Sequence, residues 1–159
     1  MVNELMVATN QSASYEFVEI YNPCSSSIDL TGWKLLYRAA AGTTDTTIYT
    51  WASGSVASQK YVLLAGSGFT GTANPDGTLS NGLAKAGGGV ALRDAQSTIV
   101  DSVGYGTATN AFIEGTVAPV PPTTDAPGNS ISRTPNGKDT GDNGVDFQVS
   151  TTPTPKAQN

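Results

Sequence analysis

The sequence predicts an all-β chain folded as an antiparallel sandwich of about eight or nine short strands. Three observations carry that expectation. Short runs rich in β-branched and aromatic residues recur along the 159 residues, separated by turn signals built from Gly, Pro, Asn and Asp. No stretch of about twelve residues combines a helical spacing of apolar positions with capping residues at its ends. Lys and Arg together number 8 and charged residues make up 13%, which leaves a hydroxyl-rich surface of the kind common in exported proteins. The pattern is that of an immunoglobulin-like sandwich. The disulfide that joins the sheets of antibody domains is excluded, because Cys24 is the single cysteine.

The strands follow in order. VNELMVA (2–8) reads as a strand that ends at Asn10-Gln11-Ser12. EFVEIYN (16–22) sets Phe17, Glu19 and Tyr21 on one face and Val18 and Ile20 on the other. The stretch 28–37 turns at Thr31-Gly32 and then offers Trp33, Leu35 and Tyr37 on one face. Trp33 is expected to lie deepest in a core that also holds Val18, Ile20, Leu35 and Phe147. TTIYTWA (46–52) alternates Ile48 and Thr50 against Tyr49 and Trp51. KYVLLA (60–65) is almost continuously apolar, as a strand covered on both faces is. A glycine-rich excursion over 66–89 precedes a hairpin with arms at 90–93 and 98–103. A proline-rich connection, 106–129, leads to a last strand at VDFQV (145–149), with Val145, Phe147 and Val149 expected on one face. Residues 1–150 then make one sandwich domain, long enough to bury its own core. TTPTPKAQN (151–159) reads as a Pro/Thr-rich linker fragment with nothing to bury.

Several function classes drop out. Without histidine and with one cysteine, this chain has no Ser-His-Asp or Cys-His machinery, no imidazole metal site and no thiolate zinc cluster. Cys24 is expected as a semi-buried loop thiol, with no basic neighbour to lower its pKa. A net charge of −5 and scattered basic residues weigh against nucleic-acid binding, which draws on clustered Lys and Arg. No apolar run is long enough for membrane insertion as a helix. Met1 set directly against strand-like sequence reads as the start of a domain within a longer exported chain, placed outside the cell or at its surface.

Three polar patterns invite a chemical reading. Gly66-Ser67-Gly68-Phe69-Thr70-Gly71 fits a dinucleotide-binding turn, but the residues after it, up to Gly77, cannot open the helix that would receive a pyrophosphate. Glu16 and Glu19, three apart in a strand, point to opposite faces and cannot share one substrate atom; one is expected on the surface, the other as an acceptor for a loop. Five Asn and Asp side chains crowd 136–146, and Asp139, Asp142, Asn143 and Asp146 are candidate calcium ligands. The competing reading has these side chains bonding their own backbone in successive turns. Arg133 and Asp101, charged residues in apolar surroundings, are expected to pair within the sandwich.

EFVEIYN, DLTGWKL (29–35), YVLLAGSG (61–68), VALRD followed by IVDSVGYG, SISR (130–133) and DTGDNGVDF (139–147) stand in one order. Together they resemble the lamin tail domain in its bacterial, exported form, from about residue 2 to 147. The resemblance implies an immunoglobulin-like sandwich without catalytic residues. It further implies an accessory module of larger exported proteins, just as the domain in nuclear lamins carries interaction surfaces. The expected function is a non-catalytic structural or interaction module binding a protein or glycan partner through its loops, with 38–47 and 70–89 departing most from the family. The alternative is calcium-dependent adhesion or glycan binding, with Tyr49 or Trp51 stacking on sugar. An exposed edge strand would permit a dimer by sheet extension.

Overall fold

The computed structural model describes residues 1–159. The elements in chain order are β1 (Val2–Met6), β2 (Phe17–Tyr21), β3 (Ile28–Asp29), β4 (Lys34–Ala39), β5 (Thr46–Thr50), β6 (Ser55–Val56), β7 (Tyr61–Ala65), β8 (Gly77–Thr78), β9 (Gly87–Arg93), β10 (Ile99–Gly106), β11 (Ser130–Arg133), the helical turn α1 (Asn143–Asp146) and β12 (Phe147–Ser150). Nine strands have four residues or more, and β3, β6 and β8 have two each. A six-stranded sheet runs β12-β11-β1-β2-β7-β8, a four-stranded sheet runs β10-β9-β4-β5, and β3-β6 form a small ribbon. Neighbours pair antiparallel, apart from β7 and β8, which run parallel. The result is the expected antiparallel, immunoglobulin-like β-sandwich without a disulfide.

Alternation builds the core. The six-stranded sheet sends Leu5, Val18, Ile20, Val62, Leu64 and Ile131 inward, and the other sheet answers with Leu35, Tyr37, Ile48, Val90, Leu92, Val103 and Tyr105, with Phe147 among them. Full burial of one such aliphatic side chain stabilises the fold by about 1.5–3 kcal/mol. Neither outer face is bare. Met6, Tyr15, Phe17, Leu63 and Ala65 make a second cluster outside the six-stranded sheet, with Phe69 packed on it. Leu36, Ala91 and Phe112 make a third. Double coverage of β7 explains why its sequence is apolar without a break.

Trp33 is not the deepest core residue. It stands one position before β4, where its N–H donates to Leu30 O (2.9 Å) and its carbonyl accepts from the Trp51 N–H (3.0 Å). There it is half-buried against the edge of the main cluster, while Leu35 and Ile48 are fully enclosed. Alternation puts Trp33 on the inward face, but depth is set by distance from the end of the sheet. The turn before it requires Gly32, whose φ is +80° and whose Cβ, were there one, would crowd Ala95 at 3.1 Å.

The end of the chain departs further from expectation. Val145 does not continue the last strand: Asp142 caps a helical turn instead, and Val145 is left 51% exposed. Val149 is exposed on the edge strand β12, so of the expected trio Phe147 alone is buried. Cys24 is exposed rather than semi-buried. Residues 151–159 are not without contacts, because they fold back over the outer face of the six-stranded sheet.

Candidate functional site

Arg133 on β11 organises the polar interior. Its side chain is fully buried, and its guanidinium donates to Val2 O (2.8 Å), Lys138 O (2.6 Å), Asp146 Oδ2 (3.0 Å) and Asp101 Oδ1 (2.8 Å). It also lies over the Phe147 ring, 4.8 Å from the centroid. The expected pairing with Asp101 is present, and Asp146 joins it. Burial pushes the Asp101 carboxyl up, to about 6, against the pull of the Arg133 guanidinium. One side chain thereby ties β1, β10, β11 and α1 into a single body.

The four calcium candidates do not converge. Asp139 Oδ1 accepts from the Gly141 N–H (3.2 Å) and lies 3.6 Å from Arg133 Nη1. Asp142 is the cap of α1, accepting from the N–H groups of Gly144 (3.0 Å), Val145 (3.3 Å) and Thr116 (3.1 Å). Bonds from Thr116, first its hydroxyl, hold the Asp142 carboxyl below its ordinary range. Asn143 turns the other way, into β10: its Oδ1 accepts from the N–H groups of Gly104 (2.9 Å) and Glu114 (3.0 Å), and its Nδ2 donates to Ser102 O (3.0 Å). Asp146 serves Arg133 and Thr140. No three His, Cys, Asp or Glu side chains are arranged to hold a metal ion. The oxygens fasten a loop to the sandwich.

Glu16 and Glu19 also part company, but neither reaches the surface, which corrects the expectation for one of them. Glu16 lies just before β2, 3% exposed, and its Oε2 accepts from the Leu83 N–H (2.8 Å). Burial pushes it up to about 7. Glu19 pairs instead with Glu4, its cross-strand neighbour between β2 and β1. Both are fully buried. Glu4 Oε1 accepts from the Ser130 hydroxyl (2.5 Å) and the Thr154 N–H (3.1 Å); Glu19 accepts from Asn3 Nδ2 (3.2 Å) and the Lys156 N–H (2.5 Å). Burial pushes both carboxyls up, Glu19 to about 8, and the Glu4 charge adds to the Glu19 shift. Sequence reasoning missed Glu4, because only the β1–β2 register, shifted by a bulge between Val2 and Glu4, brings it beside Glu19.

The 151–159 segment covers this pair. Lys156 Nζ reaches Asp76 Oδ1 (2.8 Å), and Asn159 Nδ2 donates to Arg133 O (3.2 Å). Pro153 and Pro155 border a groove of about 360 Å³ lined also by Met6, Tyr15, Phe17 and Phe69. Phe69 comes from the Gly66–Gly71 loop and sits with its ring centroid 5.1 Å from that of Tyr15 and 5.9 Å from that of Phe17. The loop leads to β8, not to a helix. A Cβ at Gly66 or Gly68 would collide with Ser14, so these glycines permit close chain packing.

Up to the end of β10 the order of the main strands, the turn at Gly32 and the β9–β10 hairpin follow the blocks read from the sequence. A model of the lamin tail domain family matches residues 1–107. The chain belongs to the lamin tail domain family. The match ends one residue past β10, so the SISR and DTGDNGVDF blocks lie beyond it, although β11 and β12 complete the larger sheet of this lamin tail domain. No curated protein matches the chain. Chemically, the buried carboxylates of this lamin tail domain act as acceptors for N–H groups, hydroxyls and one guanidinium. Glu16 borders a surface cleft with Ser14, Ser80 and Asn81, but no second carboxylate faces a common substrate atom there.

Proposed function

We propose that this lamin tail domain is a non-catalytic interaction module of a longer exported chain, working outside the cell or at its surface and binding a protein or glycan partner at its loop rims. One observation carries the reading: the interior polar groups are committed to bracing loops on the sandwich. Asn22 alone holds Ser26, Val56 and Ala57 carbonyls (2.8, 3.1 and 3.1 Å), and Asn110 holds the Ala39 carbonyl (3.0 Å). Loops fixed in this way present a preformed surface, which lowers the ordering cost of binding. The family expectation of an interaction domain supports the same reading.

The experiment is to immobilise the chain and challenge it with defined glycans and purified cell-envelope proteins. Replacing residues 40–44 by a Gly/Ser segment of equal length is expected to abolish retention of the partner with little change in melting temperature. Retention that ignores this change, or turnover of a hydrolase substrate that survives further purification, contradicts the proposal. Fractionation of cells producing the full-length gene product tests the export half.

A further inference from the structure

The segment over the Glu4–Glu19 pair has a defined conformation. Thr154, Pro155, Lys156 and Ala157 form a tight turn closed by the Ala157 N–H on Thr154 O (2.8 Å). Proline occupies its second position, and Lys156, at the third, has φ +64°. Type II turns require positive φ there and favour glycine for it. A lysine in that conformation persists where its surroundings hold it, and the holders are visible. Glu19 accepts its N–H (2.5 Å), Asp76 its Nζ (2.8 Å), and Glu4 the N–H (3.1 Å) and hydroxyl (3.3 Å) of Thr154.

The sheet face is built to match. Two carboxylates at facing positions of adjacent strands repel one another when bare, and buried without donors they are strongly disfavoured. Such a face is complementary to main-chain N–H groups with a cation beside them. The groove lined by Met6, Phe17 and Phe69 lies alongside, with Pro153 and Pro155 forming part of its wall. Prolines bring little chain entropy to be lost on docking, and aromatic-lined grooves suit them.

We propose that the outer face of the six-stranded sheet is a receptor for Thr-Pro-Lys turns, occupied in cis by residues 153–156, and that the partner it fits is a Thr/Pro-rich polypeptide presenting the same turn. Glu4, Glu19 and Asp76 read the turn. Existence of a partner rests on the module reading above, whereas the receptor rests on the contacts just given.

The test uses the nonapeptide TTPTPKAQN titrated into the full chain carrying Lys156→Glu, in which the tethered segment would face Asp76 with a like charge. In the unaltered chain that segment holds the site at roughly millimolar effective concentration. The variant is therefore expected to lose exchange protection at the amides of residues 154 and 156, and to bind the peptide at least about tenfold more tightly than the unaltered chain. Resonances of Glu4, Glu19 and Asp76 are expected to move on binding, and the peptide carrying Lys156→Glu is expected not to bind. Pro155→Gly, which loosens the turn without new charge, serves in parallel should the first variant fail to fold. A released segment with no peptide binding overturns the proposal, as does a segment that stays protected in both variants. Peptide binding is read without any loop partner, so the failure of the module reading leaves a separate trace.

Discussion

At the scale of single residues, Arg133 has the widest reach. Arg133→Met would leave Asp101 and Asp146 buried without their cation and free the Lys138 carbonyl. The expected loss is about 3–5 kcal/mol in chemical denaturation, large against a typical total of about 5–15 kcal/mol. A loss under 1 kcal/mol (roughly the worth of an exposed pair) would show that the network is not the brace described. The two inward-facing residues near the start of β4 give a second comparison. Leu35→Ala is expected to cost about 2–5 kcal/mol, and Trp33→Ala less, since Trp33 is only partly buried, at the edge of the core. Melts of the two variants side by side check the order.

At the scale of elements, the strands were legible because sequence periodicity and burial coincide in them. Val18 and Ile20 against Phe17 and Glu19 encode which side chains turn toward the inter-sheet core, and the unbroken Tyr61–Ala65 run marks a strand covered on both faces. What alternation does not encode is position along the sheet, register and capping. Depth failed at Trp33 for the first reason, and Glu4 escaped notice for the second. Val145 was misplaced for the third, because an N-cap outweighed a β-branched residue. The 151–159 segment was unreadable for a further reason: a Pro/Thr-rich composition signals little burial of its own, yet its N–H groups are what Glu4 and Glu19 require. These acids, with Glu16 beneath the Leu83 loop, give the fold a pH signature. Their folded pKa values lie above the ordinary 4.5, with Glu16 at about 7 and Glu19 at about 8. The folded chain thus keeps protons that the unfolded chain releases. The stabilisation is complete below the ordinary value and is lost as pH rises through the folded values. Melting temperature is expected to fall between about pH 5 and about pH 8, and Glu19→Gln to flatten that slope. A profile that rises over the same interval would contradict the assignment.

At the scale of the whole molecule, two sheets close a core and the polar side chains bind the loops to it. Sequence order alone conveyed that architecture, since blocks arranged as in a lamin tail domain specify strand order even where single residues are ambiguous. The carboxylates at 139–146 illustrate what required coordinates: crowding in sequence is compatible with convergence or dispersal, and here caps and the Arg133 pairing disperse them. A chain stabilised by a bound cation would gain about 2.7 kcal/mol at a hundredfold excess over the dissociation constant. Melts with calcium and with chelator are expected to coincide, and an upward shift with calcium would reopen that reading.

Buried acids hold the backbone of the Leu83 loop and of residues 154–156 to the sandwich. Amide hydrogen exchange at Leu83, Thr154 and Lys156 tests this most directly, because each N–H donates to one of those carboxylates. Protection well above that of an unstructured peptide is expected, lost at Leu83 in Glu16→Ala and at Lys156 in Glu19→Ala while the β2 amides stay protected. Exchange of these three amides at unstructured rates in the unaltered chain would contradict it.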